Sequence, residues 1–140
     1  MQYVCDAAPY TWFRLETIAE AASESQLMDH AVERYFRQCH EQATRSYVPP
    51  PSSAGFEQSI GLKDHIRRTM PLFLTLRDNE GKALVTAMLP PAGTKDAGFR
   101  SIVVGKANAD PYQHYAAAIK ALGVHLGQTL DRDRCFPYRK

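Results

Sequence analysis

Between Thr17 and Ser46 the positions Ala21, Ser25, Met28, Val32, Tyr35, Phe36 and Cys39 recur three or four residues apart. That spacing puts a mostly apolar row on one face of a 3.6-residue period and predicts a single amphipathic helix over residues 17–46. Thr17-Ile18-Ala19-Glu20 has the makings of a capping box: a hydroxyl for the third amide and a carboxylate reaching back to the first. Glu16, Glu20 and Glu24 cluster at the start, where the helix dipole favours anions, whereas Arg37 and Arg45 lie late, where it favours cations. Glu33–Arg37 and Glu41–Arg45 are oriented i,i+4 pairs, and Pro49-Pro50-Pro51 stops the helix.

Elsewhere the period changes. Residues 2–6 and 11–16 read as short strands; in the second, Trp12, Arg14 and Glu16 alternate with Phe13 and Leu15. A Pro/Ser/Gly-rich loop over 47–59 leads to a shorter helix over 60–69, capped by Ser59 and ended by Pro71. Residues 72–77 and 82–89 flank Asp78-Asn79-Glu80-Gly81 as a hairpin, and 99–104 supplies another strand ending in Ile102-Val103-Val104. Asp110-Pro111 opens a last helix, whose apolar row is Tyr115, Ile119, Leu122 and Leu126 and whose stop is Gly127. A polar tail, 128–140, is expected to dock through Leu130, Cys135, Phe136 and Tyr138. The order β-β-α-α-β-β-β-α predicts an α+β domain: an antiparallel sheet of four or five strands, with a long helix and one or two shorter helices on one face. One domain, residues 1–140, is expected.

Composition narrows the class. The chain has 140 residues, 44% hydrophobic and 23% charged, with a net charge of +2. That excludes a disordered or collagen-like chain, and no apolar run approaches the roughly 18 residues needed to span a bilayer, so no membrane role is expected. Three cysteines, Cys5, Cys39 and Cys135, form no metal or disulfide pattern. The start also lacks the pattern of a secretory signal, so free thiols and a cytoplasmic location are expected. Charge is uneven: five bases against nine acids over residues 1–66, and twelve against six over 67–140, or −4 and +6. The basic residues are nevertheless scattered, which favours a solvated surface over one anion-binding patch.

The candidate chemistry is sparse. Gly105, Lys106 and Asn108, between the last strand and the last helix, could present amides and a positive charge to a small anion, although Asp110 would compete for those amides. Phosphate- and dinucleotide-loop patterns are absent. Tyr10, Trp12 and Tyr112 could form an aromatic patch for a protein partner, self or other. Arg67 and Arg68, with Arg132, Arg134, Arg139 and Lys140 around Phe136 and Tyr138, offer charge and stacking for a nucleic acid. Histidine pairs on the same helix, His30 with His40 and His114 with His125, are too far apart along the axis for one metal. Cys39, on the apolar row, reads as core, not as a nucleophile beside His40. No catalytic group, metal or cofactor is expected. The leading expectation is therefore a non-catalytic macromolecule-binding domain with a protein partner. The alternatives are a small enzyme with a composite pocket between helix and sheet, lined by His65, Arg67 or Lys106, and a nucleic-acid binder using the basic half.

Overall fold

The structure is a computed structural model that describes residues 1–94 and 99–138. Five strands make one antiparallel sheet whose spatial order follows the chain: β1 Gln2–Ala7, β2 Tyr10–Arg14, β3 Leu72–Arg77, β4 Ala83–Leu89 and β5 Ile102–Val104. Four helices, α1 Ile18–Met28, α2 Val32–Ser46, α3 Gly55–Thr69 and α4 Tyr112–Leu126, complete an α+β architecture. Of the described helices, none is long and apolar enough to cross a membrane.

The sheet is covered on both faces, not on one. Leu72, Leu74 and Leu76 of β3, with Trp12, Val85, Ala87 and Leu89, pack against Ala118, Ile119 and Leu122 of α4. The intervening side chains point the other way: Phe73 and Met88 join Ala21, Val32, Phe36, Ala43 and Ile66 of α1–α3. A strand buried on both sides has no polar alternation to display, which is why Leu72–Leu76 is buried at every position.

The expected long helix is broken. Its capping box forms as predicted, with Thr17 Oγ1 accepting from the Glu20 amide, and both i,i+4 pairs form. At Asp29, however, the backbone turns left-handed (φ 51°, ψ 59°), a conformation that Asp tolerates better than most residues. The amides of Asp29 and His30 then close on the Ser25 carbonyl. Ser25 Oγ accepts from the Glu33 amide at 2.7 Å and so caps the helix that follows. Met28, Val32 and Phe36 remain buried because α1 and α2 pack on the same face of the sheet.

Smaller differences are local. Helix α3 starts at Gly55, well before residue 60, without a side-chain cap, and this shortens the preceding loop. Pro111 is the N-cap of α4, with Asp110 Oδ1 accepting from the Tyr112 amide at 2.9 Å; Gly127 ends that helix at φ 67° as expected. The last strand spans only Ile102–Val104. The tail does dock: Cys135 is buried, and Phe136 pairs with the β5 edge, its amide donating to the Ser101 carbonyl at 2.8 Å.

Candidate functional site

A charged network lies inside the α1–sheet interface. Glu24 of α1 is fully buried, where the sequence suggested only a favourable charge near a helix start. Its carboxylate accepts from Arg77 Nη2 at 2.6 Å and from Thr86 Oγ1 at 2.6 Å. Arg77 also donates to Thr75 Oγ1 and to the Gly81 carbonyl, each at 3.0 Å, so its planar fork is held from three sides. Beyond Thr86, its hydroxyl oxygen lies 2.9 Å from His30 Nε2.

Proton inventory fixes the direction of this chain. A carboxylate paired with arginine can only accept, so the Thr86 hydroxyl proton goes to Glu24. The Thr86 oxygen must then accept, which makes His30 Nε2 a donor. Nδ1 faces the Val32 amide at 3.4 Å and is left as an acceptor. Burial, partly opposed by a backbone hydrogen bond and by the charges of Glu24 and Asp29, lowers the His30 pKa from 6.5. His30 is therefore a neutral Nε2–H imidazole, clamped at both nitrogens.

The clamped ring forms one end of a cavity of about 300 Å³ between the start of α2 and the β4–β5 part of the sheet. Its walls are chiefly apolar, including Val32, Phe73, Met88, Ile102 and Val104, with Tyr35 and Phe136 more exposed. Arg100 lies 4.9 Å over the Phe136 ring and buttresses that side. Asn108 also lines the cavity. It is held left-handed at φ 60° in the 3-10 turn Lys106–Asn108, and its side chain makes no hydrogen bond among the described residues. The cavity thus offers an apolar body, a fixed neutral imidazole and the Asn108 side-chain amide.

Of the other residues singled out in the sequence, Gly105 is buried: its amide donates to the Ala109 carbonyl at 2.7 Å, and a Cβ there would sit 3.2 Å from that oxygen. Lys106 is exposed and lines no described cavity. Asp110 takes the Tyr112 amide and Arg132 Nε (2.7 Å), so the start of α4 already has its anion. Those hydrogen bonds hold the Asp110 carboxyl below its ordinary range.

Tyr10, Trp12 and Tyr112 do not make an exposed patch. Trp12 is fully buried and donates Nε1–H to the Ala118 carbonyl at 2.9 Å; an indole is almost all apolar area and the sheet–α4 core takes it. Tyr112 donates to the Leu130 carbonyl at 2.7 Å, and Tyr10 meets Tyr115 edge to face at 5.5 Å. The basic residues fall into two groups with separate acidic partners. Arg67 pairs with Glu16 and Arg68 with Asp64 at the end of α3, while Arg132 pairs with Asp110 and covers the Tyr138 ring; Arg134 is exposed. Arg139 and Lys140 lie outside the described residues. His65 bonds Ser46 Oγ (2.7 Å) and lines no described cavity, whereas Arg67 does line one, beside α3. All three thiols are pushed up in pKa by burial, and no metal-binding cluster exists among the described residues.

No family model matches the chain, and neither a curated protein nor a solved structure is detectably similar to it.

Proposed function

We propose that the protein is a non-catalytic binding domain whose ligand is a small, largely apolar molecule carrying one hydrogen-bonding group, seated in the His30 cavity. The expectation of a binding domain is kept; the macromolecular partner expected from the sequence is replaced in this reading by a small molecule. One observation carries the reading. A buried Glu24–Arg77–Thr86 network, which a stability-driven core would replace with apolar side chains, terminates on a ring in the wall of a chiefly apolar cavity. With both nitrogens engaged, His30 offers the ligand its ring face and not a proton. That favours binding over general acid–base work. Asn108 supplies the polar contact.

Indole and 1-octanol are suitable neutral probes. The expected result is saturable movement of the Val32, Met88, Ile102 and Val104 methyl resonances, reduced about tenfold in affinity by Ile102→Trp, which fills the space. Asn108→Ala should weaken 1-octanol binding by a factor of about 3–10, the value of one hydrogen bond. If neither probe moves these methyls, or Ile102→Trp binds as the parent does, the proposal fails.

A further inference from the structure

A second cavity, of about 560 Å³, lies between α2, α3 and the end of β2 and shares no lining residue with the His30 cavity. Its apolar wall includes Leu15, Phe36, Ile66 and Met70, and its polar wall holds Arg14, Lys63 and Arg67. The charges there do not balance. Arg14 is only 9% exposed, yet it forms no ion pair among the described residues. Its single described hydrogen bond runs from Nη2 to the Arg67 carbonyl at 2.8 Å. A guanidinium carries five N–H donors and stays charged in proteins, so Nε and Nη1 have donors to spare.

Neighbouring groups worsen the imbalance. Lys63 and Arg67 are four residues apart on α3, where like charges repel, and burial together with the Arg67 charge lowers the Arg14 pKa, partly opposed by Glu16. Of the two carboxylates in the wall, Glu16 pairs with Arg67 of the same wall at 3.3 Å, and Asp64 pairs with Arg68 outside it at 2.9 Å. Lys63 has no ion pair among the described residues. A largely buried guanidinium with no ion pair among the described residues is costly to hold, and a bound anion would offset its repulsion with Arg67 and that between Lys63 and Arg67.

We propose that this cleft binds a small organic carboxylate, its head on Arg14 and Lys63 and its apolar body against Phe36, Ile66 and Met70. An organic carboxylate is favoured over a bare inorganic anion because Leu15, Phe36, Ile66, Met70 and Pro71 line the cavity beside the bases, and the planar fork of arginine matches two coplanar oxygens. The site is separate from the His30 cavity and stands or falls independently of it.

The test compares benzoate with its neutral isostere benzamide and with inorganic phosphate, by amide and arginine Nε–H chemical shifts. Benzoate is expected to move Arg14 Nε–H together with Leu15, Phe36 and Met70, with benzamide and phosphate binding at least about tenfold more weakly. Lys63→Gln, an exposed change that keeps the fold, should weaken benzoate about threefold, and Arg14→Gln about tenfold or more. Should Arg14→Gln fail to fold, the benzoate–benzamide difference in the parent and in Lys63→Gln decides alone. Equal binding of benzamide or phosphate, no response to benzoate, or shifts confined to Met88 and Ile102 would each overturn the proposal.

Discussion

Replacing Glu24 by Gln keeps volume and shape but removes the charge that faces Arg77. Two charge-assisted hydrogen bonds of 2.6 Å end on that carboxylate. Each is worth roughly 1.5–3 kcal/mol, so their joint loss approaches the ~3–5 kcal/mol typical of breaking one partner of a buried ion pair. Two features pull the value to the lower end. The Gln amide oxygen can still accept from Thr86, and the Arg77 side chain, 11% exposed, keeps its bonds to Thr75 and Gly81. The expected destabilisation is about 3 kcal/mol, equivalent to about 10 °C in Tm for a chain of this size. Urea unfolding followed by Trp12 emission suits the assay, because the sole tryptophan is fully buried. Replacing the pair together, Glu24→Leu with Arg77→Met, should recover most of the loss, since apolar replacement of a buried pair is near neutral. A loss under about 1 kcal/mol for Glu24→Gln, or additive effects in the double variant, would refute the assignment of a coupled buried pair.

Further outcomes follow from single contacts. Because the folded state lowers the His30 pKa below 6.5, the unfolded chain binds the extra proton first, and stability falls as pH drops from 6.5 towards the folded value. The urea midpoint should therefore drop more for the parent than for His30→Gln between about pH 7 and about pH 5.5; equal slopes would contradict this. With Cys5 and Cys135 buried and Cys39 half-buried, a thiol-disulfide reagent should modify only Cys39 in the native protein, and slowly; rapid reaction of two or three thiols would contradict the burial. Gly123→Ala would put its Cβ 2.6 Å from the Gln128 carbonyl oxygen, a backbone atom, and should cost about 1–3 kcal/mol in the same urea assay; a neutral result would contradict that packing.

Sequence periodicity was enough to locate the five strands, α4 and the capped start of α1, because each has a local chemical cause: a pleat, a cap, an Asp-Pro start, a Gly stop. The break at Asp29 was hidden because Met28, Val32 and Phe36 keep helical spacing across it. Its signals were weak ones, Ser25 and the Asp29-His30 pair, residues that compete for backbone hydrogen bonds. The second helical layer was legible in principle, since residues 72–76 are apolar on both faces save for Thr75. Burial of Glu24 was not, because its partners Arg77 and Thr86 lie 53 and 62 residues away. Only the sheet brings them together. Asn108 was singled out for its loop, yet its cavity is walled by α2 and β4, which no local motif connects to it.

The proton arrangement at His30 is tested most directly by long-range 1H–15N spectra of its ring across pH, with and without indole. A neutral Nε2–H tautomer that persists below pH 6.5, and whose signals move with indole while those of the exposed His114 and His125 do not, is the expected result. An Nδ1–H tautomer, protonation at or above 6.5, or a ring indifferent to indole would contradict the account.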